Sequence, residues 1–185
     1  MRAAPLFSLA LLPILAWPSL DATAQQPMSD DELIANAISA APEAVGRNAT
    51  VVAVDEQGQL RTLKQGTNNF TCLPDDPSNP ANDPMCVDEN GLEWAKAWIA
   101  KTEPPKGKIG FGYMLQGGAT PSNVDPHATQ PAQGTDYMQE PSHVMVFNTA
   151  EAMQGYPDPG EHPDMSQPWV MWGGTPYEHL MIPVE

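Results

Sequence analysis

Two short stretches repeat one pattern of metal-ligating side chains. "SHVMVF" places His143 two residues before Met145, and "EHLMIP" places His179 two residues before Met181. Both runs read as strands, in which residues i and i+2 project to the same face. If the two strands pair, that face would carry two imidazoles and two thioethers. Soft sulfur combined with imidazole suits copper, above all Cu(I). "HPDM" adds His162 and Met165 to the same inventory. The four residues His143, Met145, His179 and Met181 are therefore one candidate metal set. A plainer reading stands beside it: methionine fills irregular gaps in cores, and a histidine on a core strand is usually satisfied by a structural hydrogen bond.

A second candidate set surrounds a long polar segment. Residues 117–141, "GGATPSNVDPHATQPAQGTDYMQEP", separate two apolar runs and contain Asp125 and His127. Loops of this length without their own structure are usually functional or flexible. "GYMLQGG" and "VMWGGTPY" each put Gly-Gly after an aromatic strand residue, Tyr113 and Trp172. Such glycines admit a ligand close to the backbone, and they also make tight turns. The ligand-binding set is thus His143, His179, Tyr113, Trp172, Asp125 and His127. No G-x-S-x-G, H-E-x-x-H, P-loop or C-x-x-C-H motif occurs. A hydrolase-like reading would need His143 or His179 beside a carboxylate such as Glu178 or Asp125, and no catalytic residue is assigned.

Cys72 and Cys86 are the chain's two cysteines, and four prolines and three aspartates lie between them. No C-x-x-C and no neighbouring histidine supports a redox or zinc reading. The acids lack the alternating register and central glycine of an EF-hand, whereas Asp and Asn beside proline initiate turns. In an exported chain the pair is expected to form a disulfide.

Export is what the N-terminus predicts. Arg2, the apolar "AAPLFSLALLPILAW" and the small residues Ala22 and Ala24 read as a signal peptide covering 1–24. No other segment approaches the ~20 apolar residues of a membrane span. Removing the leader deletes one base, Arg2, and one acid, Asp21, so the net charge stays at -15. That charge opposes binding to nucleic acid or anionic membranes, which needs lysine and arginine. The expected location is periplasmic or secreted, with a small molecule or a protein as partner.

The remaining chain suits one domain. Ser29 and Glu32 form the pattern of a capping box ahead of Leu33, Ile34, Ala37 and Ile38, so 25–42 is expected to be a helix and linker. Residues 49–54 and 59–65 read as a hairpin turning at 55–58. Asn90 and Glu93 could cap a helix presenting Trp94, Ala95, Trp98 and Ile99 on one face, more often a packing face than a ligand platform. Strands are expected at 108–118, where Ile109, Phe111, Tyr113 and Leu115 share a face, at 142–148, and on either side of Gly173-Gly174. The predicted fold of 43–185 is α+β: a mostly antiparallel sheet of about six short strands, with two or three helices on one face and long proline-rich loops.

Taken together, "FTCLPD", "NDPMC", "YMLQGG", "SNVDPHAT", "HVMVF" and "MWGGTPYEHLMIPV" resemble a group of uncharacterised exported bacterial proteins, over most of the chain from about residue 43. The resemblance implies export, a bacterial source and one compact domain, and it brings no activity, cofactor or site residue. The function expected from these residues is a non-enzymatic binding domain, with no cofactor assigned. The alternatives are a periplasmic copper-binding protein and a hydrolase-like enzyme.

Overall fold

The computed structural model describes residues 28–55, 59–157 and 159–184. The expected signal peptide and residues 56–58 of the expected hairpin turn lie outside the described residues. No helix among the described residues is long and apolar enough to cross a membrane.

The first helix, α1 (Asp30–Ile38), begins as its sequence suggests. The Ser29 side chain accepts the Glu32 amide, and Glu32 accepts the Ser29 amide in return, closing the capping box. A single helical turn, α2 (Glu43–Gly46), follows. The expected hairpin is β1 (Thr50–Val54) paired with β2 (Leu60–Lys64). A second hairpin, β3 (Phe70–Leu73) with β4 (Met85–Asp88), leads into α3 (Glu89–Ile99). Then come β5 (Gly110–Met114), β6 (Gly118–Thr120), β7 (Met138–Glu140), β8 (His143–Phe147), β9 (Trp169–Met171) and β10 (His179–Pro183).

Eight of these strands make one mixed sheet, in the order β2-β1-β3-β4-β5-β8-β10-β9. Its one parallel contact is β1 with β3, and β6 and β7 pair separately as a two-stranded ribbon. The domain is therefore sheet-dominated, with eight strands in the main sheet where about six are expected. The two added strands, β3 and β4, flank the cysteine loop. Each is four residues long with little alternation, so local pattern does not reveal them. Cys72 and Cys86 face each other directly across this hairpin and are bonded, which is the staple expected of the pair.

The helices do not share one face. Cys86 packs with Ala37 and Ala40 of the α1 region, together with Val51 and Cys72. Its neighbour Val87 packs on the other side, with Trp94 of α3 and with Met145, Phe147, Trp169 and Met181. Consecutive residues of a strand point to opposite faces, so α1 and α3 cover opposite sides of the sheet. The apolar run Met85-Cys86-Val87 is the signature of a strand covered on both faces.

Two details of α3 also differ from expectation. Asp88, not Asn90, caps it, its carboxylate accepting the Gly91 amide at 2.7 Å. Asn90 instead donates to the Ile109 carbonyl at 2.9 Å. Ile99 is 71% exposed, while Trp94 and Ala95 are buried. On β5, Phe111 and Tyr113 do share a face, but glycines face the aromatic core. A Cβ on Gly110 would stand 2.4 Å from the Gly91 nitrogen, so α3 rests directly on the strand backbone.

Candidate functional site

The two H-x-M strands do pair, and the pairing fixes what their side chains share. In the β8–β10 register, Met145 is opposite Met181, and His143 is opposite Pro183. All four ligand candidates therefore project from one face, as their spacing predicts. The methionine rung lies between the two histidines, and both methionines are buried in the aromatic core. The imidazoles are locked in the same way. His143 Nδ1 donates to the Pro141 carbonyl at 2.7 Å, and His179 Nδ1 donates to the Tyr177 carbonyl at 2.9 Å. Among the described residues no group of three or more His, Cys, Asp or Glu side chains is placed to hold a metal ion.

His179 sits in an aromatic cage. Its ring centroid lies 5.1 Å from that of Trp94, 5.6 Å from Phe147 and 5.0 Å from Trp172. Burial pushes its pKa down to about 4, so it is neutral at pH 7. The segment 122–127 is pinned across this cluster. The Trp98 indole donates to the Pro126 carbonyl at 2.7 Å, and the Trp172 indole to the Ser122 carbonyl at 3.1 Å. The His127 ring packs edge-on against Tyr177, with centroids 5.3 Å apart. The structure thus gathers His179, Trp172 and His127 around one aromatic cluster, with Asp125 in the segment pinned across it. Tyr113 is not among them: it packs on Phe70 across the opposite face of the sheet.

The 117–141 segment is folded, not a loose connector. Its ends pair as β6 and β7, and between them the chain lines a cleft of about 300 Å³. Asp125, Asp136, Glu161, His162 and Ser122 bring polar groups to this cleft, and Pro121, Ala128 and Met138 supply apolar wall. Glu161 is held in place, accepting from the Ser122 hydroxyl at 3.2 Å and from the Asn123 amide at 3.3 Å. Asp125 caps its own turn, accepting the His127 amide at 2.9 Å. Of the residues singled out in the sequence, Asp125 and His162 reach this cleft. Ser122, Asp136 and Glu161 carried no motif that would have marked them.

The carboxylate that meets a histidine is neither Glu178 nor Asp125. Glu178 accepts the Gly174 amide at 2.8 Å and so braces the Gly173-Gly174 turn. Glu140 Oε2 lies 3.9 Å from His143 Nε2, beyond hydrogen-bond reach, and both side chains are buried. Burial, with a nearby Asp83, pushes the Glu140 carboxyl up to about 8, while burial lowers His143. Asp83 is itself raised to about 6, mainly by burial. The signal for Glu140 in the sequence is only an acid three residues before a histidine, broken by Pro141, which no regular element explains. "LQGG" also finds its reason here. Gly117 adopts φ +78°, and a Cβ on Gly118 would lie 3.1 Å from Glu140 Oε2.

Comparison with protein-family models, with curated proteins and with solved structures finds no match.

Proposed function

We propose that this protein is an exported binding domain whose 117–141 segment holds a small amine-bearing molecule. The observation that carries this reading is the lining of the cleft. Three carboxylates, Asp125, Asp136 and Glu161, surround about 300 Å³ to which, among the described residues, no lysine or arginine contributes. An ammonium group entering the cleft would gain charge-assisted hydrogen bonds that a neutral or anionic ligand cannot make. The apolar wall of Pro121, Ala128 and Met138 suits a short hydrocarbon attached to it. Export is supported by the leader-like N-terminus and by the Cys72–Cys86 bond, since disulfides persist in oxidising compartments.

Titration calorimetry with putrescine and with ethanolamine tests the reading, with acetate as the opposite-charge control. Asp136 is exposed and makes no hydrogen bond among the described residues, so Asp136→Asn should leave the fold intact. The expected result is binding of at least one amine, weakened several-fold by Asp136→Asn and by salt on the order of 0.15 M. Acetate binding as well as the amines, or no heat from either amine, would overturn it.

A further inference from the structure

We propose that Glu140, packed between His143 and Asp83, is a protonated latch that lets the β6–β7 ribbon rest against the cysteine loop and releases it as the pH rises. Glu140 ends β7 opposite Gly118 of β6. A Cβ on Gly118 would lie 3.1 Å from Glu140 Oε2 and 3.7 Å from Asp83 Cβ, so the absent side chain leaves room for the carboxyl between ribbon and loop. His143 spends its Nδ1 proton on the Pro141 carbonyl, which leaves a bare lone pair on Nε2 when the ring is neutral. That nitrogen faces Glu140 at 3.9 Å, and both it and Glu140 Oε1 are buried without a partner. A carboxyl buried this way, with one oxygen unpartnered and a bare lone pair facing the other, is tolerated only while it carries its own proton.

The other ionisable groups around the carboxyl do not replace that proton. Asp83 comes from the cysteine loop and carries like charge when ionised. Its oxygens already accept from the Asp76 amide at 3.2 Å and from Asn79 Nδ2 at 2.6 Å. Asp75, another acid of this loop, accepts the Asp83 amide at 3.0 Å. Among the described residues no lysine or arginine pairs with Glu140. Loss of the proton to solvent would therefore leave a buried carboxylate beside Asp83 with no counter-charge, which is costly. The folded state can avoid this by letting the ribbon swing away from the loop. Pro121 directly follows β6 and Met138 lies in β7, so the ribbon forms one wall of the cleft that would move with it.

The direction follows from linkage. The folded-state pKa of Glu140, about 8, lies above the ordinary 4.5, so the stability it confers is lost as pH rises from 4.5 towards 8. Melting of the full chain between pH 6.5 and 8.5 tests this. The wild type should lose several degrees of Tm, and Glu140→Gln, which stays neutral, should be flat. Amide resonances of 118–120 and 138–140 should shift or broaden over the same window in the wild type alone. Equal pH slopes in both proteins would overturn the latch. Should Glu140→Gln fail to fold, the Glu140 carboxyl carbon of the wild type decides. Titration above pH 6 supports the latch, and titration near the ordinary carboxylate value overturns it.

Discussion

Gly91 of α3 and Gly110 of β5 meet backbone to backbone, with the Gly91 nitrogen 2.4 Å from the place a Gly110 Cβ would occupy. Neither glycine sits at a turn, and neither adopts a positive φ. They are needed because the helix lies directly on the strand there, which brings Trp94 onto Phe147 with ring centroids 4.4 Å apart.

Gly110→Ala should therefore force α3 away from β5. The obstructing atoms are backbone, which cannot rotate aside, so the cost should reach ~1–3 kcal/mol, the range of an overpacked core. Urea unfolding followed by tryptophan fluorescence measures it. A variant as stable as the wild type would show that the helix can slide without penalty.

The Cys72–Cys86 bond closes a 14-residue separation across the β3–β4 hairpin. A loop of this size corresponds to ~3 kcal/mol in the chain-entropy account. The four prolines within it already restrict the unfolded chain, so the measured value should fall below that figure. The Cys72→Ser, Cys86→Ser double variant should melt several degrees lower and be insensitive to dithiothreitol, whereas the wild type should drop to meet it in reductant. Equal melting with and without reductant in the wild type would count against the staple.

His179 should make the protein sensitive on the acid side. Its pKa is depressed from 6.5 to about 4, so the unfolded chain takes up a proton in this interval and the folded chain does not. Stability from the neutral ring is thus present above pH 6.5 and is lost as pH falls towards 4, by ~3 kcal/mol in full. Glu140 and Asp83, raised to about 8 and about 6, act in the opposite sense through part of this window. The overall curve should consequently be shallow, and the histidine is isolated by comparison with His179→Asn. The stability gap between wild type and variant should narrow from pH 6.5 to pH 4. A constant gap would mean that the ring does not hold itself neutral.

Much of the local structure was legible because its causes are local. The capping box of Ser29 and Glu32 lies within four residues, and the β1–β2 hairpin announces itself by apolar strands around a polar turn. The shared face of His143, Met145, His179 and Met181 needed only the two-residue period and the antiparallel pairing of two apolar strands. The segment 117–141 stands out by length and polarity, but its β6 and β7 do not, since three-residue strands carry too little pattern.

Residue type and short spacing are enough for the two H-x-M strands, the disulfide pair, the α1 cap and the acidic balance. Tertiary structure alone decided the rest. The burial of both Cys86 and Val87 on adjacent positions of β4 put α1 and α3 on opposite faces. Register set the methionine rung between the two histidines and sent Tyr113 to the far side. The meeting of Asp83 with Glu140 joins residues 57 positions apart, and Glu161 reaches Ser122 across 39. Such encounters depend on how strands order themselves in the sheet, and no period in the chain encodes that order.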